Sequence, residues 1–301
     1  ADPSSTCALG CSPLRAAVDN GRPSVVRSLI AHGSSYSPWP SAPAAVEAAD
    51  LVAADGPRCD AVEGLPDGFQ KQAEGMALPL RRLIVLGVPP SDVPAAAVIH
   101  ALWLPLSQYR KALAALAPAR ESVLLCCPKV LDSDTCAALR TSVDASAASN
   151  ADSVDGLPDH QLDLSLAQLE GLIGKKALQR IERLPTAFAS HEGRASSMGV
   201  APAAVRIHTI FIRRYCANER PWFSFHRDKG PLTVNVALKD DSFHSGGRLL
   251  GLFDSAVRVI ERGEGEATVH PSTLLHAVSR MHPGGVRYSL IVLFRTHEPE
   301  S

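Results

Sequence analysis

Several features that would narrow the biology of this 301-residue chain at once are missing from it. It has almost no net charge: 30 Lys and Arg face 31 Asp and Glu, leaving −1 at neutral pH. No global basic field therefore draws it to nucleic acid or to an anionic membrane, although a local basic patch is compatible with that balance. No apolar run approaches the roughly 18–20 residues that a membrane span needs. Cysteine is sparse and odd in number, seven residues without a CxxC spacing, which favours buried thiols in a reducing compartment. Cys7 and Cys11 alone are close enough for a local bridge. No cleavable leader is visible either. These absences favour a cytoplasmic or nuclear location; a secretory one stays open because the sequence begins at Ala1 rather than Met.

What is present describes a soluble globular chain, 46% apolar and 20% charged. Its length suits one large domain or two modest ones. The character changes near residue 120. Before it, Ala, Pro and short helical patterns dominate. "PLRAAVDNGRPSVVRSLIAHG" (13–33) carries two short apolar-periodic pieces split by Asn20-Gly21 and closed by Gly33. That unit resembles one ankyrin repeat, and "PLRRLIVLGVPPSDV" (79–93) echoes its second half. The offset from Leu29 to Leu83 is not the spacing of a regular array. Residues 34–75 read as an irregular loop with one short helix. The region is either a cap on the main domain or a surface for a partner.

After residue 120 the pattern is mainly β. "SVLLCCPKVL" reads as a buried strand leading into a helix, "DSDTCAALRTSV", capped by Asp132 or Ser133. "LSLAQLEGLIGKKALQRIERL" (164–184) is an amphipathic helix with a break near Gly174. Short strands follow at 205–215, 222–226, 232–238, 247–253, 256–260, 266–270, 273–279 and 286–294. Eight such strands between Gly/Pro/Asp turns predict a sandwich or barrel, here a jelly roll with helices in front, so the class is α+β.

Within it, "WFSFHRDKGPLTVNVAL" (222–238) places His226 and Asp228 two apart, on one face of a strand. Such a pair needs a third partner to hold a metal. His270, His276 and His282 are the candidates. His282 lies in the turn "MHPGG", and His270 precedes Pro271 at a strand end. His276 lies inside the apolar "TLLHAVS", where an imidazole without a partner carries a desolvation cost, and is the best third ligand. Two histidines and a carboxylate with open positions suit non-haem Fe(II) and O₂. Further on, Arg287 and Ser289 of "VRYSLIVLF" share a face of an apolar strand. A buried guanidinium there calls for a carboxylate, from a ligand or from an internal Asp or Glu.

"HRD" (226–228), "LLHAV" (274–278) and "RYS" (287–289) together resemble the Fe(II)/2-oxoglutarate-dependent dioxygenases, in particular the prolyl 4-hydroxylase-like branch. "VLDSDTCAALRTSV" resembles the helix that opens this branch, so the similarity spans roughly 120–297. The resemblance implies a double-stranded β-helix over 118–301, preceded by a helical, ankyrin-like region over 1–117. It implies iron on His226, Asp228 and His276, and 2-oxoglutarate anchored by Arg287 with help from Ser289. Tyr215 matches a position that contacts the co-substrate, and Thr233 and Asn235 are further candidates. "FHSGGRL" (243–249) fits the family's GG turn, with His244 either exposed or substrate-facing.

The anchor is Arg where collagen-type enzymes carry Lys. Arg295, eight residues on, does not match the second Arg of the nucleic-acid demethylases, so no nucleic-acid partner is expected. The implied reaction couples oxidation of 2-oxoglutarate to succinate and CO₂ with hydroxylation of a C–H bond, and ascorbate supports enzymes of this kind. The favoured substrate is a protein or peptide side chain, prolyl first. A free amino acid or other metabolite is the alternative, and an inactive binding protein a more distant one.

Overall fold

The computed structural model describes residues 12–19, 22–32, 64–66, 68–93, 98, 101–102, 119–146, 149–191, 194–254 and 256–296. The chain divides into two compact units, residues 1–116 with 255–258, and residues 117–254 with 259–301. Among the described residues no helix is long and apolar enough to cross a membrane.

The first unit is helical where it is described: α1 (Pro13–Asp19), α2 (Pro23–Ala31), α3 (Phe69–Gly75) and α4 (Leu78–Ile84). Pro13 and Pro23 open their helices at the position where a missing N–H costs nothing. Leu14, Ala17, Val26, Phe69, Ala73, Leu83 and Ile84 are buried. The α1–α2 pair falls where two short helices were expected. Among the described residues there is one such pair and no stack of repeats. The Asn20-Gly21 turn, Gly33 and most of the expected loop lie outside the described residues.

The second unit contains α5 (Arg120–Val123), β1 (Leu125–Cys127), α6 (Ser133–Asp144), β2 (Ser149–Ala151), β3 (Pro158–Asp163), α7 (Leu166–Ala189), α8 (Arg194–Met198) and β4 (Val205–Cys216). Then follow β5 (Phe223–His226), β6 (Leu232–Ala237), β7 (Leu249–Phe253), β8 (Ala256–Ile260, of which 256–258 fall in the first unit), β9 (Ala267–Pro271), β10 (His276–Val278) and β11 (Val286–Thr296). "SVLLCCPKVL" is not one buried strand. It splits into the turn of α5 and a half-buried three-residue β1, because β1 is an edge strand with β9 as its one neighbour. Asp132 caps α6 by accepting from the Thr135 N–H at 2.8 Å. In α7 Ser165 and Gln168 form a reciprocal capping box, and Gly174, at φ 76° and ψ 156°, breaks the helix.

Two antiparallel sheets result, ordered β1-β9-β6-β11-β4-β3-β2 and β5-β10-β7-β8. From β4 onward the chain passes between them repeatedly, which is the winding of a jelly roll. Strand alternation then divides the residues. Tyr288, Leu290, Val292 and Phe294 of β11 join Leu139, Leu169, Ile181 and Phe188 in the core under α6 and α7. The intervening Arg287 and Ser289 face the other way. Across the ladder Arg287 sits opposite Tyr215, Ser289 opposite Arg213 and Ala237, and Ile291 opposite Phe211 and Asn235. Thr233 sits opposite His270. One face of the large sheet is therefore helix-packed and apolar, and the other carries a row of polar groups.

The GG turn takes the backbone that the sequence suggests. Gly246 has φ 72° and Gly247 φ 62°, and a Cβ on Gly246 would run into the Arg280 carbonyl oxygen. Gly246→Ala is expected to cost about 1–3 kcal/mol or more, since both strain and collision oppose it. Thermal unfolding checks this; an unchanged Tm would mean the turn yields freely.

Candidate active site

β5 and β10 are neighbours, and their register sets His226 directly opposite His276. The ring centroids lie 4.3 Å apart. Asp228 follows β5 by two residues, its backbone N–H donating to the Ser272 carbonyl at 3.0 Å. Its two oxygens divide between the imidazoles: Oδ1 is 3.5 Å from His226 Nε2 and Oδ2 is 3.5 Å from His276 Nε2. One nitrogen or oxygen from each of the three residues falls within 4.8 Å of the others.

The protons are what make this cluster informative. His226 Nδ1 is 2.9 Å from the Ser224 carbonyl and His276 Nδ1 is 3.1 Å from that of Leu274, each two residues upstream. A carbonyl only accepts, so each Nδ1 carries a hydrogen and each Nε2 is the nitrogen turned towards the carboxylate. Burial pushes the His276 pKa down to about 3, so its ring stays neutral. Burial alone would raise Asp228, but attraction to the His276 and His226 rings, which acts when a ring is protonated, holds the carboxyl well below its usual range. With both rings neutral two lone pairs face an anion, and a cation between them would take the place of a ring proton and satisfy all three groups.

Of the other two histidines, His270 is buried but sits behind His276, ring centroids 4.9 Å apart, outside the cluster. His282 is exposed and bonded to Ser245.

Arg287 is 1% exposed. Its guanidinium carbon lies 4.9 Å from the Tyr215 ring centroid, and none of its three nitrogens has a hydrogen-bond partner. Among the described residues no carboxylate is within ion-pair distance of it. The Ser289 hydroxyl on the same face is also without a partner. Burial first, then the nearby Arg262, pushes the Arg287 pKa down to about 10, so it remains a cation at neutral pH. The internal salt bridge that would have explained it is not made.

No protein-family model matches this sequence, and none of the curated proteins matches it significantly. Solved structures do. A Pseudomonas putida prolyl-4-hydroxylase is 18% identical with a TM-score of 0.44, over 62% of this chain and 100% of that one. A viral collagen prolyl hydroxylase from Paramecium Bursaria Chlorella virus-1 is 12% identical with a TM-score of 0.40, over 58% and 97%. A non-haem alpha-ketoglutarate-dependent epimerase of nogalamycin biosynthesis is 16% identical with a TM-score of 0.41, over 62% and 83%. At these scores the residues of the site carry the argument, not the likeness.

Thr233 and Asn235, expected at the co-substrate, have other partners here. The Thr233 hydroxyl donates to Asp228 Oδ2 at 2.7 Å and lies 3.0 Å from the Ser272 hydroxyl. Asn235 Oδ1 accepts from Arg262 Nη1 at 2.7 Å, and Arg262 is buried against Asp241. Thr233 therefore orients the carboxylate of the cluster. Thr233→Val is expected to weaken divalent-metal binding about tenfold, in the range that residues behind ligands contribute. Cobalt titration followed by absorbance reads it; unchanged affinity would leave Thr233 a spectator. His244 is neither exposed nor open to a substrate. It is buried, with Nε2 3.6 Å from Asp241 and Nδ1 3.0 Å from the Gly246 carbonyl.

The cluster opens into a cleft of about 600 Å³, where His226 and Asp228 share the lining with Phe223 and, from β3 and β4, Asp159, Gln161 and Arg213. Sequence reasoning passed over this wall. Arg213 is far from Asp152 and Asp159 in the chain, and only the sheet register unites it with them.

Proposed function

We propose that this chain is an Fe(II)- and 2-oxoglutarate-dependent dioxygenase that hydroxylates an unactivated C–H bond. The observation that carries the reading is the meeting of two bare imidazole nitrogens with an ionised carboxylate, a donor set of nitrogen and oxygen that fits Fe(II). His226, Asp228 and His276 would hold the metal. When bound, Fe(II) would supply the activation of O₂ and the oxidative breakdown of 2-oxoglutarate to succinate and CO₂.

The remaining residues bind and orient. Arg287 would receive the distal carboxylate of 2-oxoglutarate as a charge-assisted fork, which gives a buried and unpartnered cation its missing anion. Ser289 would donate its hydroxyl to the same carboxylate, and Tyr215 forms the wall beneath the guanidinium. Thr233 fixes the direction of Asp228. On this reading the chemistry belongs to a double-stranded β-helix domain over 118–301, and 1–117 is a helical, ankyrin-like region that contributes no residue to it. A protein or peptide side chain is the first substrate class; the preference for prolyl rests on resemblance alone.

The test is succinate formation from 2-oxoglutarate by purified protein with Fe(II) and ascorbate, without added substrate. Slow, metal-dependent, uncoupled conversion is expected. A metal-loaded protein that fails to bind 2-oxoglutarate would overturn the reading.

A further inference from the structure

β3 lies beside β4 in the large sheet, with Gln161 opposite Arg213 and Asp163 opposite Phe211. By alternation Asp159 and Gln161 share the polar face on which Arg213, Ser289 and Arg287 lie. Arg213 Nη2 donates to Asp152 Oδ2 at 2.6 Å and to Gln161 Oε1 at 2.7 Å, and lies 2.7 Å from Asp159 Oδ2. An Nη group has two hydrogens, so three acceptors compete for two donors. Asp152 has a second donor, the Val154 N–H at 2.7 Å. Asp159 has none. It is 4% exposed and neither of its oxygens receives a hydrogen bond.

The charges show the same shortfall. Asp152, Asp155 and Asp159 are matched by Arg213 and Arg220 only, with Arg220 occupied by both oxygens of Asp155 at 3.1 and 2.9 Å. One carboxylate is left over in a nearly buried setting, where an uncompensated charge is costly. Burial accordingly raises the Asp159 pKa, and Arg213 and Arg220 offset only part of the rise. The shortfall lies on the wall of the cleft that His226 and Asp228 also line. Phe223 connects the two, its ring 4.7 Å from the Arg213 guanidinium carbon and 4.3 Å from the His226 ring. Arg227, Lys229, Arg295, His208 and Asp163 also line this cleft.

We propose that Asp159 and Gln161 form a subsite for an aliphatic ammonium group carried by the substrate. An ammonium brings three donors and one positive charge, which is what this wall lacks. The proposal deepens the oxygenase reading and rests on it for the statement that the bound molecule is the substrate. It also moves the substrate class away from an in-chain prolyl ring, which has no charge, towards a basic side chain or an amine.

Binding is measured without turnover, by calorimetry on the full chain loaded with 2-oxoglutarate and a redox-inert divalent metal. The probes are N-acetyl-lysinamide and N-acetyl-norleucinamide, which differ in the terminal ammonium, with butylammonium and butanol as a smaller pair. The ammonium member of each pair is expected to bind about tenfold more tightly or better. Asp159→Asn should reduce that preference to within about twofold while 2-oxoglutarate affinity is unchanged, which also shows that the variant is folded. Gln161→Lys keeps the buried acid and supplies an ammonium from the chain itself. It should abolish the preference and raise Tm.

Equal binding within both pairs by the unmodified protein overturns the subsite, as does a preference that survives both substitutions. A fall in Tm for Gln161→Lys counts against it too, since a protonated Asp159 has no use for a cation. Tight ammonium binding by a protein that never forms succinate supports the subsite and overturns the oxygenase reading instead.

Discussion

His276→Ala is expected to bring Fe(II)-dependent conversion of 2-oxoglutarate to background, a loss of more than about 100-fold, since residues merely behind metal ligands already contribute 10–100-fold. His226→Ala should match it. Neither imidazole belongs to the apolar clusters beneath the helices or between the sheets, so thermal stability should move little by comparison. The discriminating control is His270→Ala. That ring is as buried as His276 and sits 4.9 Å from it, but it lies outside the set that can converge on one ion. It should reduce activity modestly and leave metal stoichiometry intact. A normal His276→Ala beside an inactive His270→Ala would exchange their roles and undo the assignment.

Arg287→Met should have two effects of opposite sign. Affinity for 2-oxoglutarate should fall about 10–100-fold, the equivalent of the 1.5–3 kcal/mol that a hydrogen bond to a charged group contributes. The ligand-free protein should instead become more stable. The folded pKa of Arg287 lies below its unfolded value, so the charged form is disfavoured by folding at every pH below about 10. The downward shift to about 10 corresponds to on the order of 3 kcal/mol at neutral pH. Methionine fills similar space without the charge. Thermal shift with and without 2-oxoglutarate reads both effects, and the co-substrate should stabilise the unmodified protein far more than the variant. An unaltered 2-oxoglutarate affinity would leave the buried guanidinium without a function.

These residues were legible because their signals are local. His226 and Asp228 are two apart, Arg287 and Ser289 share strand parity, and an imidazole inside "TLLHAVS" is conspicuous against its apolar neighbours. The strand around His276 was drawn too long. Leu274 closes a turn onto the Pro271 carbonyl, so β10 is only three residues, and its register against β5 shifts after His276. β2 and β3 were not foreseen at all. Their sequence, 149–163, is rich in Asp and has neither apolar alternation nor a helical period. They are strands because Arg213 and Arg220, more than fifty residues later, draw Asp152, Asp155 and Asp159 onto the edge of β4. For the same reason the face on which Thr233 and Asn235 lie is readable in the sequence, but their partners, Asp228 and Arg262, are not.

The imidazoles and the carboxylate of the cluster are oriented by different kinds of group. Both rings are fixed by main-chain carbonyls, those of Ser224 and Leu274, whereas Asp228 Oδ2 is fixed by the side chain of Thr233. Main-chain acceptors persist through any change of side chain. In a saturation mutagenesis of the site, position 224 should therefore tolerate polar and apolar replacements that keep the strand extended, position 274 apolar ones only because Leu274 is buried in the cluster between the sheets, and position 233 little beyond Ser. The hydrogen bonds that hold the two histidines survive such changes, and the mutational fragility of the centre is concentrated behind its one carboxylate.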